Sequence, residues 1–265
     1  MKVKEYVRFN YPNEFSADMQ GAGLMDMFGK MKSCVILAYI WNLKLILPKF
    51  FLAAHHNNGK YIISNLREYY DFSKLKVYDK KIICVDSAKQ IEPDLILEAK
   101  IGTHYWLVAN LIKGFEKPNF FLPPSNYVFE TSNKIVKEIE TDFGIIHIRR
   151  GDKLTTSDQG RGGYTREQYD KATSADNIIS VLDNTNAPNT IYVMTDMIEG
   201  DPVISSLILN KKYTFIFYYM FDELKNLKEK NNYLLFAVEQ YFHKCLPKNN
   251  RYFKFTSDFL KNLSS

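Results

Sequence analysis

Short runs of apolar, often β-branched residues alternate along this chain with longer stretches in which apolar positions return every three or four residues. The first rhythm belongs to strands and the second to helices. In the first half, the glycine-marked stretch "MQGAGLMDMFG" leads into an amphipathic helix predicted from about residue 25 to Trp41. Strands are predicted at "LKLIL" (43–47) and "KIICV" (81–85), and a helical stretch from about His104 to Lys113 closes this half. The break "EKPNFFLPPSN" (116–126) follows, where paired prolines lack the N–H groups that helix and sheet require. This break divides the chain into an N-terminal domain, 1–120, and a C-terminal domain, 121–265.

A bridging helix at "YVFETSNKIVKEIE" opens the second domain, and strict alternation follows it. A strand is predicted at 143–149, then a polar loop with Gly160, Gly162 and Gly163, then a helix from Thr165. Thr165 and Gln168 have the spacing of a capping box. "TIYVMT" (190–195) is the next strand, followed by Asp201 and Pro202 as N-cap and first helical residue. "YTFIFY" (213–218) and a helix at "NYLLFAVEQYFHKC" complete the pattern. Strands alternating with helices predict an α/β fold with parallel, Rossmann-like sheets. Ligands of such sheets bind beyond the carboxyl ends of the strands.

Composition narrows the partners. The 265 residues are 46% hydrophobic and 15% aromatic, enough for a large core. The net charge of +5 is mild, and no dense Lys/Arg face with interleaved aromatics argues for nucleic acid. Three cysteines stand far apart, in neither a metal-ligand spacing nor a disulfide framework, so a reducing compartment is expected. "MKVKEYVRFNYPNEF" has no apolar signal core, and "CVILAYIWNLKLIL" is interrupted by Asn42 and Lys44. The sequence thus predicts no integral membrane segment and, with its cysteine usage, a cytoplasmic location.

One strand end carries unusual charge. "FGIIHIRRGDK" (143–153) runs from an apolar strand into His147, Arg149, Arg150, Gly151, Asp152 and Lys153. Side chains alternate along a strand, so His147 and Arg149 share one side and point toward the crevice at its end. A guanidinium offers a planar fork matched to phosphate oxygens. Gly151 permits a sharp turn, Asp152 can brace an arginine or accept from a ligand, and Lys153 adds a second cation. Such a set can hold a diphosphate without a metal. The lesser alternative is a salt-bridged strand end in which Arg150 pairs with Asp152.

"HIRRGDK" resembles the His-x-Arg-Arg-x-Asp-Lys motif of the GDP-fucose-dependent fucosyltransferase superfamily, which includes α1,6-, α1,2- and protein O-fucosyltransferases. The resemblance covers about residues 143–218, including "YVMTD", similar to the family's strand-Thr-Asp motif. A weaker likeness joins Gly21, Gly23, the helix after them and "LKLILP" to the family's N-terminal Gly-rich loop, helix and strand. The resemblance implies a GT-B glycosyltransferase with two Rossmann-like domains, the second holding the donor. It implies metal-independent, inverting transfer of fucose from GDP-fucose to a carbohydrate acceptor, with no cofactor beyond the donor. Arg149 would then meet the β-phosphate, His147 the nucleotide and Asp196 the guanosine. Arg150, Asp152, Gly21 and Gly23 complete the donor-binding set, and Lys153 supports the phosphate or the acceptor side.

The chain also departs from the family pattern. Leu24, Met25 and Asp26 stand where the family has Asn-Gln, and "FKFTSDF" only partly matches its Ser-rich C-terminal motif. These departures leave open a catalytically silent GDP-sugar- or glycan-binding homologue, and a transferase for another GDP-linked deoxyhexose. Deprotonation of the acceptor requires a base. Asp158, the one acid between Lys153 and Glu167, is the geometric choice, with Asp26 the alternative. Arg149, Lys153 and Asp158 are therefore the candidate catalytic residues. His55 and His56 fall in a turn-like surface stretch, and His104, Trp106 and His243 read as packing residues.

Overall fold

The computed structural model describes residues 2–9, 24–47, 49–52, 54, 57, 59–60, 62–86, 90–99, 120–139, 142–150, 154, 165–245 and 252–255. The chain divides into two units, Met1–Phe129 and Glu130–Ser265.

The first unit is built on strand β1 (Tyr6–Phe9), helix α1 (Leu24–Trp41) and strand β2 (Lys44–Ile46). The two strands pair in parallel, as a β-α-β crossover requires. Helix α1 is buried more completely than an amphipathic helix, since every residue from Ser33 to Ala38 is covered and not one face alone. A hairpin of β3 (Lys49–Leu52) and β4 (Ile62–Asn65) follows. The run "KIICV" serves two sheets, which the sequence pattern did not separate. Its first residue, Lys81, closes β6 (Lys80–Lys81), which pairs antiparallel with β5 (Lys76–Val77), whereas β7 (Cys84–Val85) pairs in parallel with β2. With β8 (Ile96–Ala99) the parallel sheet takes the order β7-β2-β1-β8. The helix expected near His104–Lys113 lies outside the described residues.

The Pro-rich stretch is part of this first unit. Its strand β9 (Phe120–Phe121) pairs with β5. Proline has no N–H to give but keeps its carbonyl, and Pro123 O accepts from Asp71 N at 3.0 Å. Ser125 is tied twice, its N donating to Tyr69 O (2.9 Å) and its hydroxyl to Glu68 O (2.7 Å). The division falls inside the next helix, α2 (Asn126–Glu138).

The second unit is a four-stranded parallel sheet of order β12-β11-β10-β13. Its strands are β10 (Phe143–Ile148), β11 (Thr190–Thr195), β12 (Thr214–Phe217) and β13 (Tyr252–Phe255). The helices between them are α3 (Arg166–Ala172), α4 (Ala175–Asn184), α5 (Pro202–Ile208), α6 (Asp222–Lys230) and α7 (Asn232–Cys245). On one face Ile146, Ile148, Ile191, Val193, Phe215 and Phe217 pack with Ile178, Leu182, Ile204 and Leu207 of α4 and α5. On the other, Tyr192 meets Phe242 and His147 meets Phe236, both from α7. The alternation of side chains along β10 and β11 thus assigns each strand residue to one helical layer. Ser132 of α2 ties that helix to α7 by donating to Val238 O (2.9 Å).

Local signals were obeyed closely here. Thr165 and Gln168 form the full capping box, with Thr165 N donating to the Gln168 side chain at 2.8 Å and Gln168 N to Thr165 Oγ1 at 3.3 Å. Asp201 caps α5 through Val203 N (2.8 Å), with Pro202 at its first position. Among the described residues, no helix is long and apolar enough to cross a membrane.

Candidate functional site

Parallel register brings the ends of β10 and β11 together. Ile148 lies opposite Thr195, so Arg149 and Arg150 leave one strand beside the point where Asp196 leaves the other. The Arg150 peptide N–H donates to Asp196 Oδ1 at 2.8 Å, a charge-assisted bond that orients the carboxylate at the edge of the sheet. Thr195 Oγ1 accepts from Met197 N (3.1 Å) and folds the chain away behind Asp196. That loop closes in a turn, with Asp201 N donating to Ile198 O (3.1 Å) and Gly200 at φ 88°, a conformation glycine takes without strain.

The two arginines part company. Arg149 is half-buried at the strand end, next after Ile148. The Arg150 side chain, only 12% exposed, turns to the end of α3. Its Nη2 donates to Asp170 Oδ1 (2.6 Å), and its Nη1 to Thr173 Oγ1 (2.8 Å) and to the carbonyls of Thr173 (3.3 Å) and Asp170 (3.4 Å). Carbonyls at a helix C-terminus lack partners within the helix and carry partial negative charge, so a guanidinium is well placed there. The sequence offered Asp152 as the brace for Arg150; Asp152 lies outside the described residues, and the ion pair in the structure is with Asp170. His147 is half-buried on the α7 side of the sheet, its ring centroid 6.0 Å from that of Phe236.

The sequence matches no protein-family profile, and no curated protein aligns with it. Solved structures do resemble it. A structure of POFUT1 in complex with GDP superposes with a TM-score of 0.54 at 11% identity, covering 96% of this chain and 99% of that one. Two structures of POFUT1 in complex with GDP-fucose give TM-scores of 0.51 and 0.52 at 10% and 12% identity. They cover 96% and 95% of this chain, and 98% of POFUT1 in both cases. The chain has a GT-B-type fold.

Within this GT-B chain the strand ends of the second unit are backed by a buried ionisable group that sequence reading missed. Glu239 of α7 is 5% exposed and accepts from the Tyr192 hydroxyl at 2.8 Å. Burial pushes its carboxyl up to about 8, and the Tyr192 hydrogen bond and the nearby Lys228 ammonium offset only part of that. The Lys228 ammonium lies 5.4 Å from the centroid of the Tyr218 ring. Burial lowers its pKa, while Glu239 and Asp196 act to raise it. Glu239 left a trace in the sequence as the sole acid within the predicted helix "NYLLFAVEQYFHKC". Lys228 left none, since its run of charges reads as a solvated helix face.

His147, Arg149, Arg150 and Asp196 are thus gathered at one sheet edge. Gly21, Gly23, Asp152, Lys153 and Asp158 lie outside the described residues, as do His55, His56, His104 and Trp106. Among the described residues no cluster of three or more His, Cys, Asp or Glu could hold a metal ion.

Proposed function

We propose that this protein is a fucosyltransferase that moves fucose from GDP-fucose to a hydroxyl of a glycan or glycoconjugate. The observation that carries the reading is the pairing of the Arg149–Arg150 strand end with Asp196 at the carboxyl edge of a parallel sheet. Likeness in fold to POFUT1, solved with GDP-fucose and with GDP, supports it.

In this reading Arg149 holds the β-phosphate, with His147 and Asp196 toward the nucleoside and Lys153 adding charge from the loop. The acceptor oxygen attacks the anomeric carbon from the face opposite GDP, and the new C–O bond inverts the configuration. The bond from that carbon to the β-phosphate oxygen breaks, and GDP departs with the electron pair. Asp158 takes the acceptor proton. Arg149 and Lys153 supply the positive charge that a metal provides elsewhere, so transfer proceeds without one. The three free cysteines suit a reducing compartment, the cytoplasm.

A donor screen tests the reading. GDP-fucose, GDP-mannose and GDP-rhamnose are offered with mixed glycan acceptors, and both transfer and slow donor hydrolysis are followed by GDP release. Turnover of GDP-fucose above the others is expected. Turnover of a different GDP-sugar reassigns the donor, and GDP binding with no turnover of any donor identifies a silent homologue.

A further inference from the structure

The grip of α3 on Arg150 is more elaborate than a strand end needs for stability. Thr173 is 1% exposed, and its hydroxyl donates to Tyr169 O at 2.7 Å, which turns its lone pairs toward the Arg150 Nη1. Asp170 and Thr173 together receive four hydrogen bonds from one guanidinium. The same residue is anchored again through its carbonyl, which accepts from Leu154 N at 2.8 Å. Leu154 packs on Tyr169 and Ala172 of the same helix. The backbone of Arg150 is therefore positioned from two sides, by the α3 grip on its side chain and by the bond to its carbonyl, and its own N–H is the donor to Asp196. Arg149 belongs to the end of β10, which is held by its neighbours β11 and β13.

We infer that Asp170 and Thr173 are positioning residues of the donor site: they fix the Arg150 peptide that aligns the Asp196 carboxylate, and so govern recognition of the nucleobase rather than of the diphosphate. This rests on the reading of the site as a GDP-sugar site. The guanidinium of Arg150 is neutralised by α3, which leaves the diphosphate to Arg149. Loosening the α3 grip moves the Arg150 N–H and rotates Asp196, while the phosphate-binding end of β10 stays in place. A loss confined to the nucleoside half of the ligand is the signature of this arrangement. A merely stabilising ion pair gives no such split.

The test is calorimetric titration of the full chain with GDP and with inorganic pyrophosphate, on wild type, Asp170→Asn, Thr173→Val and Thr173→Ser, with folding checked by thermal melts. GDP affinity is expected to fall about tenfold in Thr173→Val, the scale of one lost hydrogen bond to a charged group, and by a smaller factor in Asp170→Asn, whose amide oxygen still accepts but carries no charge. Pyrophosphate affinity should not fall in either variant, since the charge on Arg149 is untouched and Asp170→Asn removes only negative charge. Thr173→Ser keeps the hydroxyl and should bind GDP like wild type. Equal losses for both ligands, or unchanged GDP affinity, overturn the inference while leaving the donor reading standing. A wild-type protein that binds no GDP overturns the donor reading itself, and the inference with it. If Thr173→Val does not fold, Asp170→Asn decides, because that carboxylate is 60% exposed and its change leaves the core intact.

Discussion

The Tyr192 hydroxyl donates to Glu239 across 2.8 Å on the α7 face of the second sheet, where both side chains are buried. A carboxyl in that position keeps its proton when folded, because its anion has lost its water. The unfolded chain releases the same proton in the usual carboxylate range. Between that range and about 8 the folded state holds a proton that the unfolded state has given up. Stability from this group is therefore complete only below the usual carboxylate range and declines from there as pH rises to about 8, by about 1.4 kcal/mol per unit at most. Glu239→Gln keeps an acceptor for Tyr192 and has nothing to titrate. Thermal melts at several pH values between 5 and 9 should show the variant gaining on wild type steadily as pH rises. Parallel curves would mean that Glu239 is ionised in the native state.

Arg149 and Arg150 should respond differently to the same change. If the proposed reading holds, Arg149→Ala or Arg149→Lys should lower kcat/KM roughly 10²- to 10³-fold with little change in melting temperature, because the fork would stabilise charge that grows on the leaving phosphate. Arg150→Lys should cost stability first, since an ammonium cannot span Asp170 and Thr173 together. Steady-state kinetics beside melts of both folded variants make the comparison. A dead Arg150→Lys beside a fully active Arg149→Lys would reverse the assignment.

Transfer should be insensitive to chelators. Rates measured after extended dialysis against EDTA are expected to match untreated enzyme. A complete loss restored by added divalent metal would place the chain in a different mechanistic class.

The capping box of α3 gives a purely structural control. Thr165→Ala removes the side-chain acceptor for Gln168 N and should destabilise the fold by about 1 kcal/mol. Because Thr165 is exposed at the far end of α3 from Asp170 and Thr173, GDP affinity should stay at the wild-type value. Denaturant titration and calorimetry measure the two effects separately.

What the sequence could disclose follows from where each signal resides. Strands β10, β11 and β12 were legible because parallel strands covered on both faces read as apolar runs, and the helix starts at Thr165 and Asp201 follow local capping chemistry. The split of "KIICV" between β6 and β7 was not legible, because partner choice is tertiary and leaves no mark on periodicity. Helix α4 went unread although Ser174 caps it, since only Thr173 and Ser174 separate it from α3 and the two merge into one polar-apolar stretch. At the site, Arg149 and Asp196 announced themselves by chemistry at strand ends. The partners of Arg150 come from a helix twenty positions on, chosen by packing rather than by spacing.

Strand β10 lies between β11 and β13, so the segment bearing His147 has a neighbour on either edge. The two neighbours arrive at very different times during synthesis. Residues 190–195 can dock once the α3–α4 crossover has left the ribosome, whereas residues 252–255 emerge only after β12, α6 and α7. Until then one edge of β10 stands open, with unpaired N–H and C=O groups able to recruit another nascent chain. The strand that leads into Arg149 is thus among the last to be sealed. Translation speed through codons 196–255 becomes a determinant of how much of the product reaches the native state.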